Sequence, residues 1–195
     1  MFLFKKPADH NIRLFLAAQQ SVPLSYTPVG LTKNLPARGY NIDRTRVRLG
    51  SGNAVFQAAQ EALRQWKMFD LGWVQLFHNN TPLSDNAVVA IVVRHLGFWS
   101  MNACRVVYVI AEDTEDCRRY GFAYGTLRDH AERGEERFMI EWYPRDDSVW
   151  FEILAVSKPG LLATLGYWYV RRLQQRFAVD STQAMAKIVM RSNAI

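Results

Sequence analysis

Cysteine is scarce in this chain of 195 residues: only Cys104 and Cys117 are present. Neither belongs to a Cys-x-x-Cys pair. That argues against a disulfide framework or a cysteine zinc site, and it favours a reducing, cytoplasmic setting. The four histidines, His10, His78, His95 and His130, are scattered without the spacing of metal ligands. Long apolar runs are missing as well. Ala87 to Val93 and Val106 to Ala111 are the longest uncharged apolar stretches, far short of the roughly 20 residues of a membrane span. Met1-Phe-Leu-Phe4 precedes Lys5-Lys6 and is too short for a signal-peptide core, so a soluble chain is expected. No internal repeat and no low-complexity segment occurs.

Nucleic-acid signatures are also lacking, although the net charge is +6. The arginines are spread along the chain. There is no helix-turn-helix pattern, zinc finger or RNA-recognition aromatic pair, so a basic soluble surface is expected rather than a nucleic-acid partner. The turn Leu49-Gly50-Ser51-Gly52-Asn53-Ala54-Val55 has valine where a dinucleotide fingerprint wants its third glycine, and no Gly-Lys-Ser/Thr follows. It reads as a tight strand-to-helix turn, and no cofactor is expected.

What the chain does have is hydrophobic residues at 49% and aromatics at 13%, including six Trp, eight Tyr and eleven Phe. That suffices for a core and for an apolar pocket wall. Residues 1–43 read as an N-terminal appendage, with Ile12, Phe15, Leu16 and Gln19 at helical spacing inside Ala8 to Gln20. Residues 44–195 read as one α+β domain. Arg44 to Leu49 forms a strand, and Ala54 to Lys67 a helix capped by Asn53 or Ser51. Strands follow near 73–78, 87–94, 104–111, 119–127, 136–143 and 149–157. The turns between them are marked by Asn79-Asn80-Thr81-Pro82, Leu96-Gly97, Asp113 to Asp116, Arg133-Gly134 and Pro144 to Asp147. Phe138, Ile140 and Trp142 alternate with Arg137 and Glu141, and Val149, Phe151 and Ile153 with Glu152, as in a sheet with one buried face.

A long helix is expected from the Ser157-Lys158-Pro159 entry, with Leu162, Leu165, Tyr169, Leu173 and Phe177 in one stripe. Arg171, Arg172 and Arg176 then read as a solvated face rather than a membrane contact. The expected architecture is a curved antiparallel sheet of about seven strands gripping one long C-terminal helix. This order resembles the helix-grip fold of the birch-pollen-allergen and START lipid-transfer superfamily.

The segment most suggestive of chemistry runs from Gly121 to Phe138. It gathers Tyr124, Thr126, His130, Glu135 and Glu136 around one strand–loop–strand connection. Two readings stand side by side: a polar hairpin turned at Gly134, or a site in which burial and pairing tune a His and a carboxylate. Glu135 and Glu136 are adjacent in a strand, so only one of them faces inward.

Tyr40, Leu49-Gly50-Ser51-Gly52, Trp66, Gly121-Phe-Ala-Tyr-Gly-Thr-Leu127, His130, Gly134-Glu-Glu136 and Phe138, and Ser157-Lys-Pro159 together resemble the family called domain of unknown function nineteen-ninety. The resemblance spans residues 24 to 178. Arg128-Asp129 departs from the Pro-Gly that the family pattern has before the His. No reaction and no catalytic residue comes with that resemblance. The function expected is a binding module for a small apolar or amphipathic molecule held between sheet and helix. Its lining candidates are Tyr124, Thr126, His130, Glu135, Glu136, Phe138, Trp142 and Phe151. The alternative is an enzyme using His130 with Glu135 or Glu136 for acid–base work in the same cavity.

Overall fold

The computed structural model describes residues 1–36, 38–78, 83–128, 130, 132–159 and 167–192. In chain order the elements are β1 (Phe2–Leu3), α1 (Asp9–Gln19), β2 (Asn41–Ser51), α2 (Asn53–Arg64), a 3₁₀ turn (Lys67–Phe69), β3 (Val74–His78), β4 (Val88–His95), β5 (Phe98–Asp113), β6 (Arg118–Thr126), β7 (Glu132–Tyr143), β8 (Ser148–Pro159) and α3 (Tyr167–Ser192). Seven strands form one antiparallel sheet in the order β2-β8-β7-β6-β5-β4-β3, and β1 pairs with β5. Consecutive strands from β3 to β8 are neighbours in the sheet. The early strand β2 closes the sheet on the far side of β8.

The period-two pattern of β7 and β8 divides the sheet into two faces. Phe138, Ile140, Phe151 and Ile153 point inward and are almost fully buried with Phe56, Ala59 and Leu63 of α2 and Met185 and Val189 of α3. The opposite face carries Glu141, held by Arg46 at 2.8 Å and Arg119 at 3.2 Å, and Glu152, held by Arg44 at 3.0 Å and Arg137 at 2.8 Å. Next to this ionic patch, α1 lays Ile12 and Leu16 on Val88, Ala90, Val92, Met101 and Ala103. The N-terminal helix thus covers the outer face of β4 and β5.

Several expected boundaries move. The first long strand begins at Asn41 rather than Arg44. Gly52, at φ +91°, takes the N-cap position of α2 without a side-chain cap, and the Asn53 side chain accepts from Arg118 instead. Ser157-Lys158-Pro159 does not open the final helix. It closes β8, paired with Gly134, Arg133 and Glu132. Arg133 and Gly134 accordingly lie within β7 rather than in a turn. Arg171 is not a solvated residue, because its guanidinium grips Asp43 of β2 at 2.5 and 2.6 Å. The turn expected at Asn79 to Pro82 and the helical positions Leu162 and Leu165 lie outside the described residues.

Candidate functional site

Strands β6 and β7 place Tyr124 and Glu136 directly across from each other. Both side chains face α3, and the Tyr124 hydroxyl donates to Glu136 Oε2 at 2.5 Å. Two pairs of residues along, Glu132 faces the same way and accepts from Gln174 Nε2 of α3 at 2.6 Å. Between the strands, His130 Nδ1 accepts from the Glu132 backbone N–H at 3.0 Å. In the neutral ring that leaves the proton on Nε2. Thr126 is held at the strand end, its hydroxyl hydrogen-bonded to Ser25 Oγ at 2.6 Å and to the Gly134 N–H at 2.9 Å.

These groups border a cavity of about 770 Å³ between sheet and helix. Phe69, Trp73, Ile91, Val93, Leu173 and Phe177 supply apolar wall, while Asp43, His95, Tyr124, His130, Glu132 and Glu136 supply polar wall. The volume falls in the range of small-molecule sites.

Electrostatics follow from enclosure. Burial pushes the Glu132 and Glu136 carboxyls up to about 7, and the charge of Glu132 adds to the rise at Glu136. Burial and the neighbouring Glu136 also drive the Tyr124 hydroxyl upward. Burial holds His130 down at about 4, so the ring is neutral at physiological pH and presents an N–H donor rather than a base.

The carboxyls bind their protons more tightly in the folded chain. Their stabilising contribution is therefore full below about 4.5 and is lost as pH rises through about 7. His130 runs the other way. Its contribution is present above 6.5 and is lost as pH falls toward about 4. A Glu136→Gln variant should lose roughly half of the fall in melting midpoint that wild type undergoes between about pH 5 and about pH 8. Scanning calorimetry across that range checks this, and an unchanged slope would contradict the assignment.

The expected site residues separate into groups. Tyr124, Thr126, His130, Glu135 and Glu136 all contribute atoms to the cavity boundary. The Glu135 side chain nonetheless belongs to the outer face, where it accepts from Tyr26, Gly30, Leu31 and Thr32. No hydrogen bond joins His130 to Glu135 or Glu136 among the described residues, so the expected His–Glu pair does not form. Phe138, Trp142 and Phe151 are not lining residues. Phe138 and Phe151 are fully buried, and Trp142 packs against Phe56 of α2 at 6.0 Å between ring centroids. Under α2 and under Met185 and Val189 of α3 the inner face is closed core, and the cavity lies under the first part of α3, at Tyr169, Leu173 and Phe177. Asp43, His95, Glu132 and Gln174 went unnoticed in the sequence because each stands alone there, brought to the cavity only by strand pairing and by α3.

A family model described as "Domain of unknown function (DUF1990)" matches residues 25–184. A UPF0548 protein of Dictyostelium discoideum is 36% identical over 207 residues, covering 97% of this chain and 96% of that protein. Among solved structures, hypothetical protein jhp0584 from Helicobacter pylori has a TM-score of 0.55 at 13% identity, covering 86% of this chain and 96% of that one. Human STARD10 has a TM-score of 0.50 at 15% identity, covering 95% and 81%. At such identities the likeness speaks for the fold alone, and that fold is the START-like helix grip.

Proposed function

The chain belongs to the DUF1990 family, and from that footing we propose that it is a binding module for a small amphipathic molecule held between the sheet and α3. The observation that carries this reading is the cavity itself, about 770 Å³ with apolar walls and one polar end made by Tyr124, Glu136, Glu132 and His130. An apolar body fits against Phe69, Trp73, Leu173 and Phe177. The polar end does not favour phosphates and carboxylates, since Glu132 and Glu136 gain negative charge as they lose their protons and the nearby Arg171 is committed to Asp43. It favours an uncharged head with hydroxyl or carbonyl oxygens, to which a protonated Glu136 and the His130 Nε2–H both donate.

Displacement of an environment-sensitive apolar dye tests the proposal, alongside native mass spectrometry of freshly purified protein. Wild type should bind the dye with a saturable increase in emission. Ala155→Phe, which puts a ring into the cavity from β8, should abolish that signal. Tyr124→Phe should weaken a co-purified ligand by up to about tenfold, because Glu136 loses the hydroxyl that holds its carboxyl in place. No dye binding by wild type, or undiminished binding by Ala155→Phe, would defeat the proposal.

Acid–base catalysis in the same cavity is the second reading. One observation favours it: a carboxyl held near 7 beside a tyrosine hydroxyl suits proton transfer at neutral pH. Glu136 is then the base, and His130, held neutral, is a donor rather than its partner. Mass spectrometry of the bound molecule before and after incubation separates the two readings, because a binding module returns it unchanged.

A further inference from the structure

We propose that the rim of the cavity beside the β4–β5 hairpin is a docking surface for an anionic lipid bilayer. Four apolar side chains gather there in water: Phe4 at 85% exposure, Leu96 at 73%, Trp168 at 71% and Phe98 at 42%. Their positions are linked. β1 pairs with β5, so that the Phe4 and Phe98 rings lie 5.5 Å apart. Trp168 contacts Tyr169, which in turn lies 6.0 Å from the His95 ring at the hairpin's base. The cavity wall reaches this cluster at His95, Ser100 and Tyr169.

The hairpin tip is costly in two ways. Leu96 and Gly97 turn the chain with φ +50° and +80°, a two-residue turn that favours Asn-Gly. A leucine there carries both a left-handed backbone and an exposed apolar side chain. Folding alone does not ask for it, whereas a surface that inserts into an apolar layer does.

Charge selects the occupant. Lys5 and Arg172 are exposed next to Phe4 and one helical turn from Trp168, and the exposed Lys6 and Arg94 lie behind the hairpin on its outward side, both over the Trp99 ring at 5.8 and 6.0 Å. Exposed Trp, Phe and Leu ringed by Lys and Arg match the layering of a headgroup region that is apolar below and negatively charged above. No described helix is long and apolar enough to cross a membrane, so the contact is peripheral. Arg171, committed to Asp43, has no part in it.

The test is flotation with vesicles of phosphatidylcholine alone or with about 30% phosphatidylserine, at low and physiological salt. Wild type should bind the anionic vesicles, more strongly at low salt. Leu96→Asn with Phe98→Ser should weaken binding at least tenfold, and asparagine suits the left-handed position. Lys5→Glu with Lys6→Glu should weaken it by at least about fivefold per residue. Melting midpoint and dye binding in the cavity should be unchanged in both variants, so a failed cavity and a failed docking surface are distinguishable. No binding to anionic vesicles, or full binding by the hairpin variant, would overturn the proposal. So would a dimer in solution that the hairpin variant dissociates, which would make the patch a self-association surface.

Discussion

Replacing Gly134 by alanine is expected to destabilise the fold by about 3 kcal/mol or more, the range for forced overpacking against an unyielding neighbour. Gly134 lies inside β7 opposite Ser157 of β8. A methyl group at this position would run into the Val156 carbonyl oxygen and the Ser157 Cα. Both are backbone atoms of a paired strand, and no rotamer change moves them aside. Relief requires β8 to shift away from β7, which breaks ladder hydrogen bonds between two central strands. For a chain of this size about 3 kcal/mol corresponds to a fall in melting midpoint of roughly 6–12 °C. Calorimetry of Gly134→Ala gives the answer. A midpoint within about 1 °C of wild type would mean that the close approach of β8 is not as described. The same logic applies at Gly121, where a Cβ would meet the Phe138 carbonyl oxygen and Met139 Cα.

Gly134 also illustrates where a sequence of this kind is legible. The runs at 73–78, 87–94, 119–127 and 149–157 alternate or are continuously apolar, and the strands lie there. The misread segments share one location. Phe98–Asn102 is strand, but its outward residues Trp99 and Met101 are apolar under α1, while Ser100 and Asn102 face inward. The Glu132–Gly134 stretch reads as a turn because its inward positions are a carboxylate and a glycine. Asn41–Asp43 and Ser157–Pro159 fail for the same reason, with Asp43 and Ser157 facing the cavity. Alternation reports burial against an apolar partner. Where a strand borders a polar-ended cavity, the inward side chains are polar and the signal inverts. Most of the missed strand ends thus border the cavity, where the inward side chains are polar. Depth is the other missing quantity. Alternation gives the face of Phe138, Trp142 and Phe151, but not that Phe56 of α2 covers Trp142 or that Phe69 and Phe177 cover Phe138.

Adjacent Glu135 and Glu136 should respond oppositely to substitution, and the difference separates scaffold from site. Glu135 is 3% exposed on the outer face. Its Oε2 accepts from the Tyr26 hydroxyl at 2.8 Å and from the N–H groups of Gly30 and Leu31 at 2.9 and 3.3 Å. Its Oε1 accepts from the Thr32 N–H at 3.0 Å and the Thr32 hydroxyl at 2.5 Å. Tyr108 bonds the same hydroxyl at 2.5 Å. One carboxylate thus fastens the segment before β2 onto the sheet. Glu135→Ala takes the acceptor from three backbone donors and the Tyr26 hydroxyl, while the Thr32 hydroxyl keeps Tyr108, and each lost acceptor is a penalty of about 1–3 kcal/mol where water cannot reach. Relaxation of the segment will recover part of that. The net expectation is a loss of about 3–5 kcal/mol and a midpoint lower by roughly 6–20 °C, with faster tryptic cleavage after Lys33. Among the described residues Glu136 accepts one hydrogen bond, from Tyr124, and it faces the cavity. Glu136→Gln keeps the shape and an acceptor for Tyr124 while removing a carboxyl that burial disfavours in its charged form. Its midpoint at neutral pH should lie within about 2 °C of wild type or slightly above, while the affinity for a molecule in the cavity changes. A Glu135→Ala chain as stable and as protease-resistant as wild type would remove the fastening role. A Glu136→Gln chain that melts far below wild type with unaltered cavity binding would turn Glu136 into a scaffold residue and leave Tyr124 without a site partner.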